Sequence, residues 1–233
     1  MRRRLAWTAW WLAVALWTGA AALAEEYSVV LPQGYLNVRL ASTEENEAGE
    51  TEYIYEYVLT DAQRETLSSF RQASTMWEQD PSQDGLVIAD VNFDGYMDVD
   101  IRTRAADRND ARAFFLWNAQ SGQFERAQMD GVQMSWYTLY PEAGVLVNRV
   151  EDSDVCYRLE MYGWDGGALR ALRTAAIVPG EQAGTLQVFV VRHDADEDYP
   201  LLEGTLAEDA YLNGAQTVGE ILTAAFWQGM ETP

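Results

Sequence analysis

The residues best suited to carry chemistry lie in the acidic segment DVNFDGYMDVD, residues 90–100. Its first six positions fit the pattern D-x-[DN]-x-[DN]-G of calcium-binding loops. Ca²⁺ takes six to eight oxygen ligands at about 2.4 Å, and alternate residues of a tight loop point their side chains inward. Gly95 permits the sharp turn because it adopts positive φ without a Cβ clash. The predicted ligands are the side chains of Asp90, Asn92, Asp94 and Asp98 and the backbone carbonyl of Tyr96.

The segments that flank this loop decide which kind of calcium site is expected. An EF-hand requires a bidentate Glu at position 12 and flanking helices, but position 12 is Ile101 and the flanks GLVIADV and MDVDIRT have the pattern of strands. A dockerin would also need a second copy of the loop. The sequence therefore predicts a strand-loop-strand site in which the ion pins two strands together. The alternative is an acidic hairpin turn that binds no metal; among metals, the all-oxygen donor set favours Ca²⁺.

A longer stretch around the loop resembles a known family. The segment GLVIADVNFDGYMDVDI followed by FFLWNAQSGQF, Gly85 to Phe124, is similar to exported bacterial proteins that carry a single D-x-N-F-D-G-Y-x-D loop. That family is related to the calcium loops of integrin-type (FG-GAP) propellers and VCBS repeats, and its periplasmic members include a lysozyme inhibitor. The resemblance implies Ca²⁺ as the cofactor, held by the ligands named above.

The excess of carboxylates limits the class of partner. The sequence has 37 acidic residues against 16 basic ones, and its net charge is -21. Nucleic-acid binding is disfavoured because it needs cations that displace phosphate counterions. Metal ions and cationic proteins are favoured instead. The alternative is that the charge only keeps the chain soluble and monomeric, and we expect a monomer.

The N-terminus has the features of an export signal. A basic MRRR precedes the apolar run LAWTAWWLAVALWTGAA, and Ala22-Leu23-Ala24 fits the small-x-small pattern of a signal-peptidase site. We expect residues 1–24 to be a signal peptide, and the mature chain to lie in the periplasm, cell envelope or extracellular space without contacting the membrane. The alternative is a membrane anchor that is kept, since the apolar run is close to spanning length.

The rest of the chain predicts a mainly β fold. Alternating or β-branched runs such as YLNVRLAS, TEYIYEYVL and GTLQVFVVRH indicate strands, and hairpin turns are expected at Ser121-Gly122 and at Asp165-Gly166-Gly167. We expect one β-rich domain over residues 25–233, an antiparallel, hairpin-rich sandwich, barrel or propeller-like structure with about two helices. Those helices are predicted over 60–74, with Thr60 as N-cap, and over 217–230.

Other reactive residues give weaker signals. His193 is the only histidine, and no nucleophile motif accompanies it, so no catalytic residue is predicted and a zinc site is disfavoured. We expect His193 to be a surface residue and Cys156, the only cysteine, to be a small buried apolar residue. The acidic run Asp194 to Asp198 lacks the glycine of a calcium loop and is expected to be solvated, with a second weak cation site as the alternative.

Together these features predict an exported, calcium-binding, non-enzymatic binding protein of the envelope or extracellular space. A more specific version is an inhibitor of a basic wall hydrolase, which an acidic surface would attract. One alternative is an extracellular glycan hydrolase whose carboxylate pair is unrecognised in the sequence. Another is a passive adhesion or structural domain.

Overall fold

The fold is described from a computed structural model over residues 27–76, 85–106, 108–153, 156–194 and 197–207. These residues form two compact units that meet in the chain at Ser74/Thr75, and each unit is described by itself. The expected signal peptide, 1–24, and the expected helix, 217–230, lie outside the described residues. The single domain expected over 25–233 stays a prediction.

The first unit is a four-stranded antiparallel sheet in which sequence neighbours pair in the order β1-β2-β3-β4. The period of two predicted for this region is present: Leu36 and Val38 on β2 and Tyr57 and Leu59 on β3 are fully buried, while residues between them are more exposed. The strands are β1 Tyr27–Leu31, β2 Gly34–Glu45, β3 Thr51–Thr60 and β4 Thr66–Ser74.

The helix predicted over 60–74 is wrong, because this segment forms a hairpin loop followed by β4. The Asp61 carboxylate accepts hydrogen bonds from the backbone N–H of Gln63 and of Glu65, both at 2.8 Å, and Arg64 adopts a left-handed φ of 65°. An aspartate side chain accepts the same backbone hydrogen bonds at the start of a helix and in a turn. The local sequence therefore fits both a helix and a hairpin loop. Tertiary packing decides it: Phe70 stacks on Tyr57 with ring centroids 4.8 Å apart.

Helical structure in the described residues is limited to one 3-10 turn, Pro141–Ala143. Over the same residues, no helix has the length and apolar character needed to cross a membrane.

The second unit contains two antiparallel sheets. A four-stranded sheet has the order β5-β6-β7-β8, and a six-stranded sheet has the order β14-β13-β12-β11-β10-β9. Both predicted turns are present, at 119–122 between β7 and β8 and at 166–167 between β11 and β12. The strands are β5 Leu86–Ala89, β6 Asp98–Arg104, β7 Ala111–Asn118, β8 Gln123–Arg126, β9 Trp136–Tyr140, β10 Val145–Glu151, β11 Tyr157–Asp165, β12 Ala168–Pro179, β13 Thr185–His193 and β14 Asp198–Ala207.

These two sheets share an apolar core. Phe114 on β7 packs edge-on against Tyr137 on β9, with ring centroids 5.3 Å apart, and lies 6.2 Å from the Trp164 ring on β11. Val91 and Leu116 from the four-stranded side and Leu146 and Tyr162 from the six-stranded side belong to the same cluster. The unit is therefore sandwich-like, which confirms the mainly β, antiparallel class and decides among the three architectures that the sequence left open.

Candidate functional site

The acidic loop connects β5 to β6, as the strand-loop-strand prediction requires. Asp90 organises its first half: Oδ1 accepts a hydrogen bond from the Asp94 N–H at 3.1 Å, and Oδ2 accepts one from the Gly95 N–H at 2.9 Å. The chain passes through two left-handed conformations, at Phe93 (φ 62°) and Gly95 (φ 90°). A left-handed backbone is costly for a bulky residue, so the carboxylate contacts must stabilise this turn.

Asn92 and Asp94 come together at the exposed side of the loop. The Asn92 amide donates to Asp94 Oδ2 at 2.9 Å, and Asp94 Oδ1 accepts the Tyr96 N–H at 2.9 Å. The Tyr96 ring itself is 44% exposed. The structure thus brings together the first three predicted ligands and places the Tyr96 backbone beside them.

Asp98, the last predicted ligand, is the first residue of β6 and is fully buried beneath the loop. Its Oδ2 accepts the Val91 N–H at 3.0 Å, and its Oδ1 accepts the Trp117 N–H at 2.8 Å. Burial raises the pKa of this carboxyl to about 7, the negative charges of Asp94 and Asp90 add to the rise, and the two backbone donors oppose it. No arginine in the described part of the chain forms an ion pair with any of these three carboxylates.

The donor set is chemically suited to a hard cation, since every predicted ligand atom is an oxygen. Within the described ranges, however, no group of three or more His, Cys, Asp or Glu side chains converges as a metal cage. Both oxygens of Asp98 accept backbone N–H groups under the loop, and both oxygens of Asp90 accept backbone N–H groups within it. The residues fit a calcium loop in type and spacing. Asp98 differs from an exposed ligand because it is fully buried and hydrogen-bonded to two backbone N–H groups.

Sequence reasoning missed the two tryptophans that fix this loop to the fold. The Trp164 indole N–H on β11 donates to the Val91 carbonyl at 2.7 Å, and the Trp117 backbone on β7 holds Asp98. Val91 and Trp164 are 73 positions apart, so no local pattern connects them. The sequence shows a tryptophan in each of these two strands, and this pattern alone predicts only that the side chains pack in the core.

A second polar cluster lies at the outgoing end of the loop, between the two sheets. The Arg112 guanidinium on β7 pairs with Asp100 Oδ2 on β6, and the Tyr137 hydroxyl on β9 donates to the same oxygen at 2.6 Å. Asp100 is fully buried and the Arg112 side chain is 6% exposed. Burial raises the pKa of Tyr137 far above its usual range, and the negative charge of Asp100 adds to the rise. This cluster links the two sheets and is shielded from solvent, so it is suited to holding the fold.

His193 lies in a cross-strand relay that the sequence did not indicate. Its Nδ1 is 2.7 Å from Asp198 Oδ1 on β14, and its Nε2 is 2.8 Å from the Thr174 hydroxyl on β12. The order hydroxyl, imidazole, carboxylate matches a nucleophilic triad. However, the Asp198 side chain is 66% exposed, and β12 pairs on both sides, so its backbone N–H groups are engaged in the sheet rather than free to stabilise an oxyanion. The relay is better suited to joining three strands, and His193 is half-buried rather than a plain surface residue.

The remaining predicted residues take ordinary roles. Cys156 is buried and unpaired, as expected. Asp194 is exposed and pairs with Arg192 at 3.1 Å, while Asp198 pairs with His193, so both ends of the acidic run are engaged; Asp196 lies outside the described residues.

Comparison with known proteins defines the fold and leaves the family open. No family model matches the chain, and no curated protein matches it. Among solved structures, the chain is similar to a protein described as a Xanthomonas type IV secretion system related protein. The TM-score is 0.56 and the identity is 14%, and the match covers 78% of this chain and 96% of that chain. At this identity, the likeness shows that the two chains share a fold.

Proposed function

We propose that this chain is an exported, calcium-binding protein that acts by binding a partner at the cell envelope, without catalysis. The observation that carries the calcium part is Asp98, a fully buried carboxyl with no arginine partner in the described part of the chain, beneath Asp90 and Asp94. Buried carboxylates in proteins are paired, bound to metal or neutralised by a proton. A cation held by the predicted ligands would balance the three carboxylates and favour the ionised form of Asp98.

Calcium is expected to raise the melting temperature of the protein, and Asp94→Ala is expected to abolish that rise. Extracellular sites of this type have Kd values of roughly 10⁻⁴ to 10⁻³ M, so 10 mM Ca²⁺ should stabilise the folded state by about 1–3 kcal/mol. Differential scanning calorimetry with EGTA and with CaCl₂ measures the effect, and isothermal titration calorimetry gives the stoichiometry.

Asp130→Ala is the matched control for this experiment. Asp130 is an exposed aspartate in the same unit that is not a predicted ligand, so its removal changes the net charge equally and should leave the calcium response intact. If wild type and Asp94→Ala melt identically in EGTA and in CaCl₂, the loop is an acidic turn that binds no calcium.

The binding part of the proposal is supported by charge and by the family resemblance. A chain with net charge -21 attracts cationic proteins over long range and speeds their association. The shared fold with a protein described as secretion-system related is in keeping with an envelope location. The partner we propose is a basic wall hydrolase, which the protein inhibits.

A basic lysozyme assayed on cell-wall substrate is expected to lose activity at micromolar concentrations of this protein. The inhibition should weaken as ionic strength rises, because part of the attraction is electrostatic. The assay is run with and without EGTA to learn whether the calcium loop supports the inhibitory surface. Unchanged lysozyme activity at 10 µM protein and low salt would remove the inhibitor version while leaving calcium binding untouched.

A further inference from the structure

The six-stranded sheet of the second unit is two strands wider than the four-stranded sheet that packs on it. On the six-stranded side, the residues of the shared core come from β9, β10, β11 and the start of β12, and in the described part of the chain none comes from β13 or β14. Leu146 is a core residue, and Asn148, two positions further on β10, lies on the same face. Asn148 is the cross-strand neighbour of Glu160, and Glu160 is that of Thr174. Thr174 in turn neighbours Val191 on β13, so the core face continues across β12, β13 and β14.

This continuation, which we call the β12–β14 face, has an apolar centre. It comprises Thr174, Ala176 and Val178 of β12, Gln187, Phe189, Val191 and His193 of β13, and Asp198, Pro200 and Glu203 of β14. Leu186, Val188 and Val190 of β13 point to the opposite face, where they belong to a second apolar cluster. Phe189 and Val191 alternate with them, are half-buried, and belong to neither that cluster nor the shared core. They form an apolar strip that the sandwich core does not use.

The β14 margin of this face is acidic. Asp198 and Glu203 lie on β14, the outermost strand of the sheet. The Asp198 side chain is 66% exposed and contacts His193. Glu203 is exposed, is the cross-strand neighbour of Phe189, and accepts a hydrogen bond from the Gln187 amide at 3.0 Å. Two carboxylates therefore lie directly beside the apolar strip.

The β11 margin also carries more negative than positive charge. Arg158, the cross-strand neighbour of Ala176, lies 3.8 Å from Glu160 Oε1 and 3.7 Å from Asp152 Oδ2. One guanidinium thus faces two carboxylates. Both margins of the apolar strip are therefore net negative, and a partner that covers the strip must accept acidic neighbours.

We propose that the β12–β14 face is the surface on which this protein docks a basic protein, with an apolar side chain of the partner against Phe189 and Val191. Lysine and arginine side chains of the partner would lie along the two acidic margins. This inference rests on the proposed binding function and names the surface that performs it. An apolar centre within a polar rim is the usual composition of a specific interface. The acidic rim selects a cationic partner and speeds its association, while the paired strands hold the surface rigid and so limit the entropy lost on binding.

Isothermal titration calorimetry with a basic lysozyme as the probe tests this assignment. The titrations are made in 150 mM NaCl, which screens much of the long-range attraction and leaves the local contacts. Glu203→Arg is expected to weaken binding about tenfold or more, because it places a cation on the docking margin. Asp130→Arg, the same charge change at an exposed aspartate outside the β12–β14 face, should weaken binding less than about threefold.

Phe189 tests the apolar centre of the face in two ways. Phe189→Ala is expected to weaken lysozyme binding about tenfold or more, as truncation of a central interface aromatic does, and circular dichroism checks that the variant is folded. Hydroxyl-radical footprinting of the wild type needs no variant. Because Phe189 is half-buried in the free protein, its oxidation should fall when lysozyme is added.

The lysozyme activity assay, run on the same samples, separates failure of this surface from failure of the proposed function. If wild type binds and inhibits lysozyme, equal losses for Glu203→Arg and Asp130→Arg, or unchanged oxidation of Phe189, overturn the docking surface and leave the proposed function standing. Binding at the β12–β14 face without inhibition supports the docking surface and removes only the inhibitor version. No binding of lysozyme to wild type at 50 µM overturns both.

Discussion

Replacing Asp100 by alanine is expected to lower the free energy of unfolding by about 3–5 kcal/mol, the loss typical of a buried ion pair from which one partner is removed. The substitution leaves the Arg112 guanidinium, 6% exposed, without its carboxylate and removes the acceptor of the Tyr137 hydroxyl. Since that hydroxyl comes from the other sheet, the loss also loosens the contact between the two sheets. Urea denaturation, followed by circular dichroism, measures the change in the free energy of unfolding.

Two further variants distinguish the stability contributed by this buried ion pair from that contributed by an exposed one. Adding Arg112→Met to Asp100→Ala should recover part of the loss, with an interaction free energy of about 1–3 kcal/mol, because the buried positive charge that has lost the Asp100 carboxylate is then gone. Arg170→Ala removes an exposed pair with Asp165 and should cost less than about 1 kcal/mol. A loss for Asp100→Ala no larger than that for Arg170→Ala would show that the buried pair does not support the fold.

Deprotonation of Asp98 is expected to lower the free energy of unfolding as the pH rises from 4 to 7 in EGTA. The contribution of this one group is up to about 4 kcal/mol. The pKa of Asp98 rises from 3.8 in the unfolded chain to about 7 in the folded one. Within this window the folded state keeps a proton that the unfolded state has released, so rising pH favours unfolding. The stabilisation is complete below pH 3.8 and is lost as pH rises through about 7. Saturating Ca²⁺ at pH 7 should restore stability, because the cation favours the ionised carboxyl.

Asp98→Asn isolates this dependence from that of the many other acids. The unfolding free energy of wild type minus that of the variant should fall steadily from pH 4 to pH 7 in EGTA, by up to about 4 kcal/mol. The variant also lacks one strong acceptor for the N–H groups of Val91 and Trp117, so it is expected to be less stable than wild type at pH 4. Parallel pH profiles would show that Asp98 stays ionised throughout this window.

Local patterns predicted much of this fold. The strand-loop-strand frame around Asp90 to Asp98 followed from the strand pattern of its flanks and from Ile101 at position 12. The two hairpin turns followed from Ser121-Gly122 and from the glycine pair at 166–167. These features depend on neighbours within a few residues, where turn chemistry and period-two alternation act directly.

Features that depend on distant strands were not predictable in the same way. Asp61 satisfies two backbone N–H groups in a loop as readily as it would cap a helix, and only pairing of β4 with β3 decides between them. Asp98 has the spacing of a ligand, but its environment is set by Trp117, which lies 19 residues away.

The bond from Trp164 to Val91 also constrains the order in which the chain acquires its structure. Because the two residues are 73 positions apart, the acidic loop cannot be fully anchored until β11 has formed and packed against the four-stranded sheet. Because the entropy of closing such a large chain loop must be offset before this contact is gained, we expect the acidic loop to be anchored late in folding. A cation held by this loop would therefore act mainly by slowing unfolding, with little effect on the rate of folding. With a bound cation, the loop would act as a closing step that extends the lifetime of a fold already assembled.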